Sequence, residues 1–356
     1  MGVFSDATMQ PLGQLTLTPA FVKLIGEIDE FKGRWQALGK LAPERLSALR
    51  RIATIESVGS STRVEGAKLT DYEVGRLLSG IDPRSLRSRD EQEVAGYAEA
   101  MELVFESWAE LTLTENHVRQ LHGILLKHSE KDERHRGQYK KLPNDVQAFD
   151  EHGKSVGVIF ETATPFETPR LTAELLAWTR DAVKEAQHHP LLVIAVFAVR
   201  FLAIHPFQDG NGRLSRVLTT LQLLRTGYGY VPYSSLERVV EENKDGYYRA
   251  LRQAQTTLDQ DESGLGGWVD LFLRCLVQQK DVLVRRIERE RLVAPMARLD
   301  EHILQIAREQ GRVTTAGAVR LLDANRNTVK VHLRQLVAGG HLVMHGRGKG
   351  AWYSGA

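Results

Sequence analysis

The sequence predicts a mainly α-helical protein with one β-hairpin arm and a small basic module of helices and a hairpin at its end. Three observations carry that reading. Ten segments repeat apolar residues at spacings of three and four, as the buried face of a helix requires. Residues 139–169 break that pattern with three prolines, two glycines and short β-branched runs. Residues 296–356 carry nine Lys/Arg against four Asp/Glu, a net of +5, while the rest of the chain nets −3. That asymmetry points to separate jobs.

Taken in order, the helices are expected near 19–38, 43–58, 70–79, 90–109, 115–128, 170–186, 191–204, 213–226, 234–257 and 267–290. Thr70 before Asp71 and Glu73, and Thr114 before Glu115, are N-cap signals. Pro190 suits the first turn of a helix. The stretch 139–169 reads as a hairpin turning at Asp150 to Gly153, and a long non-helical segment in a compact domain is usually functional. Three regions follow: an N-terminal helical region (1–112), a helical core (113–290) and a terminal module (296–356), with Pro295 near the last junction.

Composition excludes several classes. With 42% hydrophobic residues the 356-residue chain can build a core, so general disorder is ruled out. The single cysteine, Cys275, excludes an internal disulfide and a cysteine-based zinc site. The longest apolar run, 191–199, is too short to span a bilayer. MGVFSDATMQPLG has neither the basic nor the apolar part of a secretory signal, so a cytoplasmic protein with no membrane partner is expected.

The segment richest in chemistry is Ile204-His205-Pro206-Phe207-Gln208-Asp209-Gly210-Asn211-Gly212-Arg213-Leu214-Ser215-Arg216. Pro206 disfavours helix at His205, which should end one helix there. Gly210, Asn211 and Gly212 tolerate positive φ and can turn successive N–H groups into an anion-binding hollow. The next helix adds the positive end of its dipole. Arg213 and Arg216, three apart, share a face. The whole suits a polyphosphate. Asp209 offers oxygen ligands to a magnesium ion, and His205 can accept a proton from a hydroxyl.

HPFQDGNGR, with Arg216 three residues on, resembles the signature HPFx(D/E)GNGRxxR of the Fic (filamentation induced by cAMP) family. The resemblance implies a Fic-type helical domain with a β-hairpin flap, whose commonest activity transfers AMP from ATP to a protein hydroxyl and releases pyrophosphate. It makes His205 the general base, Phe207 the anchor of the loop and Asp209 the ligand of Mg²⁺. It makes Gly210, Asn211 and Gly212, with the following Arg213, Leu214, Ser215 and Arg216, the phosphate-binding turn, with Arg213 on the β- and Arg216 on the γ-phosphate. Ser61-Thr62-Arg63-Val64-Glu65-Gly66 resembles the family's inhibitory motif (S/T)xxxE(G/N). By that likeness Ser61 and Glu65 lie on an inhibitory helix, and Glu65 pairs with Arg216 in the place of the γ-phosphate. The hairpin then corresponds to the flap that holds a target protein by strand addition. Phe160, Glu161, Thr162 and Ala163 match its nucleotide-facing part, although the hairpin is long and lacks the usual glycines. Tyr247 and Tyr248 resemble the family's wall of the adenine, with one of them expected to pack into the core. Gln255 stands where the family often has Asn.

In the terminal module, Leu299, Ile303, Ile306 and Ala307 give one apolar face. A short helix from Thr314/Thr315 to Leu322 follows, then a third helix with Val329, Leu333, Leu336 and Val337 inward. His341 to Met344 and Ala351 to Tyr353 flank a glycine-rich tip. This resembles a winged helix-turn-helix, with Arg326, Asn327, Lys330 and Arg334 outward and Arg347 and Lys349 at the wing. Such modules bind DNA or dock proteins, and both stay open.

The expected function is a protein adenylyltransferase that modifies a Ser, Thr or Tyr of a target protein, and itself, restrained by Glu65. Alternatives are removal of AMP at the same site, with Glu65 orienting water, and a DNA-binding regulator whose Fic domain senses nucleotide. A homodimer is also open, and some relatives move phosphocholine or phosphate instead.

Overall fold

The computed structural model describes the chain outside residues 1–11, 13–14, 38–42, 81–85, 150–154, 259–261, 347–349 and 356. It divides into two compact units, Met1–Asp281 and Val282–Ala356. The first is helical: α1 (Pro19–Ala37), α2 (Pro43–Val64), α3 (Asp71–Leu78), α4 (Arg89–Ser107), α5 (Glu115–Leu125), α6 (Thr168–Glu185), α7 (Pro190–Ile204), α8 (Asn211–Arg225), α9 (Leu236–Glu242), α10 (Lys244–Thr257) and the first part of α11 (Glu262–Gln310). Between α5 and α6 lies the expected hairpin, β1 (Val146–Phe149) against β2 (Ser155–Phe160), antiparallel and with irregular register. Its expected turn at Asp150 to Gly153 lies outside the described residues.

Sequence chemistry explains where the elements start and stop. Thr70 and Ser88 form full capping boxes with Glu73 and Glu91. Thr114 caps α5 by accepting from the N–H of His117. Two expectations shift. The helix expected over 43–58 continues through Gly59, Ser60, Ser61 and Thr62 to Val64. All four are buried, and the Thr62 hydroxyl donates back to Val58 O (2.9 Å) and lies within reach of Gly59 O, so packing overrides propensity. The single helix expected over 234–257 is two, because Asn243 leaves helical geometry (φ −112°, ψ 26°) while its amide donates to Val239 O.

α7 is the central element. Every residue from Leu191 to Ile204 is buried, in keeping with a sequence that is apolar but for Arg200. Phe197, Phe201 and Ile204 join Leu214, Val217, Leu218 and Leu221 of α8 in one core, with Val94, Tyr97 and Met101 of α4, Leu121 and Leu125 of α5 and Leu171 and Leu175 of α6. The loop from α7 to α8 therefore projects from the packed core of the unit.

The second unit takes the remainder of α11, β3 (Val313–Thr314), α12 (Thr315–Leu322), α13 (Arg326–Ala338), β4 (Leu342–His345) and β5 (Trp352–Gly355). Its sheet runs β3-β5-β4, antiparallel throughout. Strand β3, two residues long, is too short to show as a periodicity. Ile303, Ile306 and Ala307 pack with Val329, Leu333 and Leu336 as their spacing predicts, and with Leu342 and Tyr353 of the sheet. Arg347 and Lys349, expected at the tip, lie outside the described residues.

Candidate active site

The α7–α8 loop is built by backbone strain and side-chain ties. His205 ends α7 in the left-handed region (φ 53°, ψ 59°), and its N–H still donates to Phe201 O at 2.9 Å. A non-glycine residue rarely sits there and does so at a cost of roughly 1 kcal/mol or more, so the surroundings must impose it. They do. Asn144, just before β1, donates from Nδ2 to His205 O (3.2 Å) and Phe207 O (2.6 Å). Lys140 Nζ, in turn, donates to Asn144 Oδ1 (2.7 Å), Thr162 Oγ1 (2.9 Å) and Ile204 O (3.0 Å). Lys140 N donates to Pro206 O, and Tyr139 bridges Phe207 strand-fashion. From within, Asn211 clamps Phe207 on both sides, accepting from its N–H (2.9 Å) and donating to its C=O (2.6 Å).

Phe207 is fully buried, its ring stacked on His122 of α5 at 3.9 Å and 14°. His122 Nε2 lies 3.0 Å from the carbonyl oxygen of Asp209, so it donates there. Nδ1 accepts from Gly137 N at 2.8 Å. Both ring nitrogens are thus committed in the neutral form, and burial holds the pKa down to about 4.

His205 Nδ1 faces Leu202 O at 3.2 Å, which assigns the proton to Nδ1 and leaves the Nε2 lone pair available. Burial pushes its pKa down to about 4, and the imidazole is unprotonated at neutral pH.

The anion-binding side is the start of α8. Gly210 is its N-cap at φ 78°, a conformation glycine adopts freely, and has no side-chain capping bond. Free N–H groups at such an end attract anions. Arg216 points into the same cleft from α8. Arg213 does not: only 2% exposed, its Nη1 lies 3.2 Å from Glu93 Oε2 of α4 and its Nη2 3.5 Å from Asp209 Oδ1. Leu214 is a core residue whose N–H serves Gly210 O, and Ser215 is buried with its carbonyl accepting from Thr219 Oγ1.

Asp209 accepts from Gly210 N (2.6 Å) and pairs with Arg89 (3.3 Å). Burial alone would raise its pKa, but Arg213, the Gly210 N–H and Arg89 together hold it below the usual value. Among the described residues no group of three or more His, Cys, Asp and Glu could hold a metal ion alone. The donor set, one ionised carboxylate beside an anion site, fits a magnesium ion that arrives on a polyphosphate and takes its other ligands from phosphate and water.

Opposite Arg216 stands the end of α2. Gly66 adopts φ 107°, Ala67 N donates to Thr62 O (3.1 Å) and Gly66 N to Arg63 O (3.0 Å). This is a Schellman stop, and glycine supplies its left-handed residue. It turns Glu65 out over α8. Arg216 donates from Nε to Ser61 Oγ (2.8 Å), and from Nη2 to Ser61 O (3.0 Å) and Glu65 Oε1 (2.7 Å). The Glu65 carboxylate presses on Gly212, leaving no room there for a Cβ. Burial works against the Arg216 charge, but Glu65 with Tyr247 and Tyr97 outweighs it and raises its pKa. Arg63, bound to Glu241, Ser60 Oγ and Leu69 O, fixes this end of α2.

These groups share one cleft of about 330 Å³, lined by Glu65, His205, Asp209, Gly210, Asn211, Gly212, Arg216, Tyr247, Tyr248 and Phe160. Ser61 reaches it only through Arg216. Of the two tyrosines, Tyr247 is the more buried and packs on Trp268, while Tyr248 is half-buried. Glu161 is exposed, Thr162 is tied to Lys140 and to Asp145, and Ala163 belongs to the core. Sequence reasoning missed Asn144, Asp145, Leu251 and Arg252 on the walls, and His122, Lys140 and Glu93 behind them. A histidine beside Leu121 on a buried helix face was the one available signal.

Fold and cleft together define a helical domain that sets an unprotonated histidine beside an anion-binding helix start, under a β-hairpin. Residues 112–223 match the Fic/DOC family, and residues 290–353 match a bacterial protein family of unknown function, DUF977. A probable protein adenylyltransferase of Aquifex aeolicus is 32% identical over 104 residues, 28% of each chain. The Fic protein adenylyltransferase of Drosophila grimshawi is 25% identical over 282 residues, 75% of this chain and 53% of that one. The chain thus spans between about a quarter and a half of these curated relatives. The crystal structure of a Fic family protein from Desulfovibrio desulfuricans superposes with a TM-score of 0.63 at 25% identity, over 96% of this chain and 97% of that one. A Fic-domain signalling protein from Bacteroides thetaiotaomicron shares the fold, with a TM-score of 0.60 at 24% identity over 73% and 96%. The chain carries a Fic domain over residues 112–223. No described helix is long and apolar enough to cross a membrane.

Proposed function

We propose that this protein is an ATP-dependent protein adenylyltransferase, transferring AMP to a hydroxyl of a target protein, and that Glu65 restrains it. The observation that carries the reading is the shared cleft: an unprotonated His205, the start of α8 and Arg216, with a carboxylate lying on Arg216. The named relatives support the same class of activity.

In this reading the triphosphate lies along the N-terminus of α8, its negative charge held by free N–H groups and by Arg216. The target hydroxyl stands near His205 Nε2. Its oxygen attacks the α-phosphorus, its proton passes to Nε2, and the bond from the α-phosphorus to the bridging oxygen breaks to release pyrophosphate. A base held near pKa 4 is weak, but a bound triphosphate raises its affinity for the proton by through-space attraction. Asp209 would hold a magnesium ion that neutralises phosphate charge. Tyr247, Tyr248 and Leu251 offer a flat, largely apolar wall for a base.

Glu65 opposes this. Its carboxylate holds the Arg216 guanidinium and covers Gly212, where a terminal phosphate would bind. ATP then binds with its phosphates displaced from the geometry that attack requires.

The test is incubation with α-labelled ATP and Mg²⁺ followed by intact mass, comparing wild type, Glu65→Gly, and Glu65→Gly with His205→Ala. The reading expects an added AMP mass in Glu65→Gly and none in the double variant. No label in any of the three, even with cell extract as target, overturns it. Release of AMP from a modified protein by wild type, lost in Glu65→Gly, would turn the assignment to the reverse reaction.

A further inference from the structure

We propose that Glu237 is a positioning residue for Arg216, acting on it through the hydroxyls of Tyr97 and Ser61. The inference rests on the reading of the cleft as an ATP site, and deepens it by naming what holds Arg216 ready for the terminal phosphate.

Four buried polar side chains, one from each of four helices, form a single chain of hydrogen bonds. Arg216 of α8 donates from Nε to Ser61 Oγ of α2 at 2.8 Å. Ser61 also bonds the Tyr97 hydroxyl of α4. Tyr97 in turn meets Glu237 Oε1 of α9 at 3.0 Å. The directions follow from what each group can give. A carboxylate only accepts, so Tyr97 gives its one proton to Glu237 and accepts from Ser61. Ser61 gives its proton to Tyr97 and accepts from the guanidinium. The chain runs one way, from a cation to a carboxylate, and charge at both ends polarises every link.

The far end of this chain is the unusual one. Tyr97 and Ser61 are fully buried, and Glu237 is 2% exposed. Among the described residues no Lys, Arg or His pairs with Glu237 directly, whereas Glu241, one turn on, pairs with Arg63 at 2.6 Å. Glu237 Oε2 accepts from Ser235 Oγ, the N-cap of α9, at 3.2 Å. The start of α9 offsets part of the cost of burying a carboxylate there. An apolar side chain would carry none of that cost, and Leu236, Val239 and Val240 of the same helix are buried without it. Packing alone therefore does not account for an acid at this position.

The two sides of Arg216 show what the chain does. On the cleft side, Nη2 donates to Glu65 Oε1 at 2.7 Å, the contact that a terminal phosphate would replace. On the core side, Nε rests on Ser61 whichever anion lies in front. Once Glu65 has left, a long flexible side chain must still be ordered before it can grip a phosphate, and that ordering weakens binding unless it is already done. Glu237, Tyr97 and Ser61 do it beforehand. Their helices support one another, since α2 packs on α4 and α9, and α4 packs on α8. The guanidinium is set by the fold and not gathered by the ligand, which is the arrangement that holds an anion best.

The experiment is titration calorimetry of the full chain with ATP and with AMP, in the Glu65→Gly background, where no carboxylate competes for Arg216. AMP ends short of Arg216 and reports on the rest of the site. Tyr97→Phe removes one hydroxyl and should weaken ATP binding at least ~10-fold while AMP binding stays within ~2-fold. Glu237→Leu should match it. Glu237→Gln still accepts from Tyr97 and should recover most of the affinity. Tyr97→Phe alone leaves a buried acceptor unmet and lowers stability, whereas Tyr97→Phe/Glu237→Leu removes both polar groups and should melt closer to the Glu65→Gly parent. The double variant is thus expected to regain stability but not ATP affinity, two properties that a merely structural role would return together. The proposal is overturned by unchanged ATP binding in Tyr97→Phe, by equal loss of ATP and AMP binding, or by ATP affinity regained in the double variant. A double variant that does not melt cooperatively overturns it too. Calorimetry needs no transfer, so a Glu65→Gly protein that binds ATP but never labels a target removes the adenylyltransferase reading and leaves this test in force. One that binds no ATP overturns both.

Discussion

Arg216 is held at both ends of one short motif: Nε donates to Ser61 Oγ at 2.8 Å, and Nη2 to Glu65 Oε1 at 2.7 Å. The two partners are four residues apart, Ser61 in the last turn of α2 and Glu65 just beyond it. One guanidinium therefore senses whether α2 keeps its final turn, and any group that takes Glu65 from Arg216 frees the start of α8.

The first prediction concerns that pair. Glu65→Gly should raise ATP-dependent labelling at least ~10-fold, since a charge-assisted hydrogen bond is worth roughly 1.5–3 kcal/mol. Ser61→Ala leaves the carboxylate in place and should raise it by only a few-fold, in line with the about 0.5–1.5 kcal/mol of an ordinary hydrogen bond. Equal labelling in wild type and Glu65→Gly, measured by intact mass, would show that the contact is no brake.

Gly212 supplies the second. A methyl group there occupies the space of the Glu65 carboxylate. In the wild type, Gly212→Ala should loosen Glu65 from Arg216. In the Glu65→Gly background the methyl meets no carboxylate and instead crowds the phosphate position. Gly212→Ala is then expected to lower labelling at least ~10-fold relative to Glu65→Gly alone, a loss of about 1.4 kcal/mol or more of transition-state binding. ATP titration calorimetry on the same pair separates lost binding from lost chemistry.

Much of the site was legible because its parts are consecutive. His205 to Arg216 is one loop and one helix start, and Pro206, Gly210 and Asn211 each state their backbone role in the sequence. Ser61 and Glu65 were legible as a consecutive motif that resembles the family's inhibitory one, although the apolar periodicity ended the helix at 58. What tertiary packing decides was not. Arg213 shares a face of α8 with Arg216 in the sequence, yet Glu93 and Asp209 hold it away from the cleft. The continuation of α2 through Gly59-Ser60-Ser61-Thr62 runs against local propensity and is imposed by burial. Lys140, Asn144 and His122 look like ordinary loop and helix residues until folding brings the backbone of residues 204–209 to them.

His122 makes the third prediction, on pH and stability. Its pKa is about 4 in the folded protein, against about 6.5 for an exposed imidazole. A lowered folded value means the unfolded chain binds the proton more readily. The contribution is therefore complete above about pH 6.5 and is lost as pH falls toward 4. At about 1.4 kcal/mol per pH unit, that is on the order of 3 kcal/mol from His122. His205 shifts in the same direction. The melting temperature should fall between pH 7 and pH 4.5, and His122→Asn should flatten that fall while lowering stability at pH 7. A wild-type melting temperature constant over this range would contradict the assignment of a neutral, buried His122.

The last prediction separates holding the fold from holding the histidine. Lys140 is 3% exposed and burial draws its pKa down to about 8, so its charge is kept at a cost in a place where a methionine would pack without one. Three acceptors surround its Nζ, and one of them, Asn144, is the residue that grips His205 O and Phe207 O. Removing the ammonium leaves buried acceptors without their donor, at roughly 1–3 kcal/mol each, and relief of the buried charge offsets part of that cost. Lys140→Met should accordingly lower the melting temperature by several degrees, up to about 10 °C. The same change frees Asn144 to turn and lets His205 relax from its left-handed geometry. In the Glu65→Gly background, labelling should then slow roughly 10-fold, about 1.4 kcal/mol, at saturating ATP, with little change in the ATP concentration for half-maximal rate. Lys140→Arg, which keeps the donors, should recover part of the rate. A melting temperature lowered by more than about 10 °C, or a rate unchanged by Lys140→Met, would show instead that Lys140 holds the hairpin and not the base.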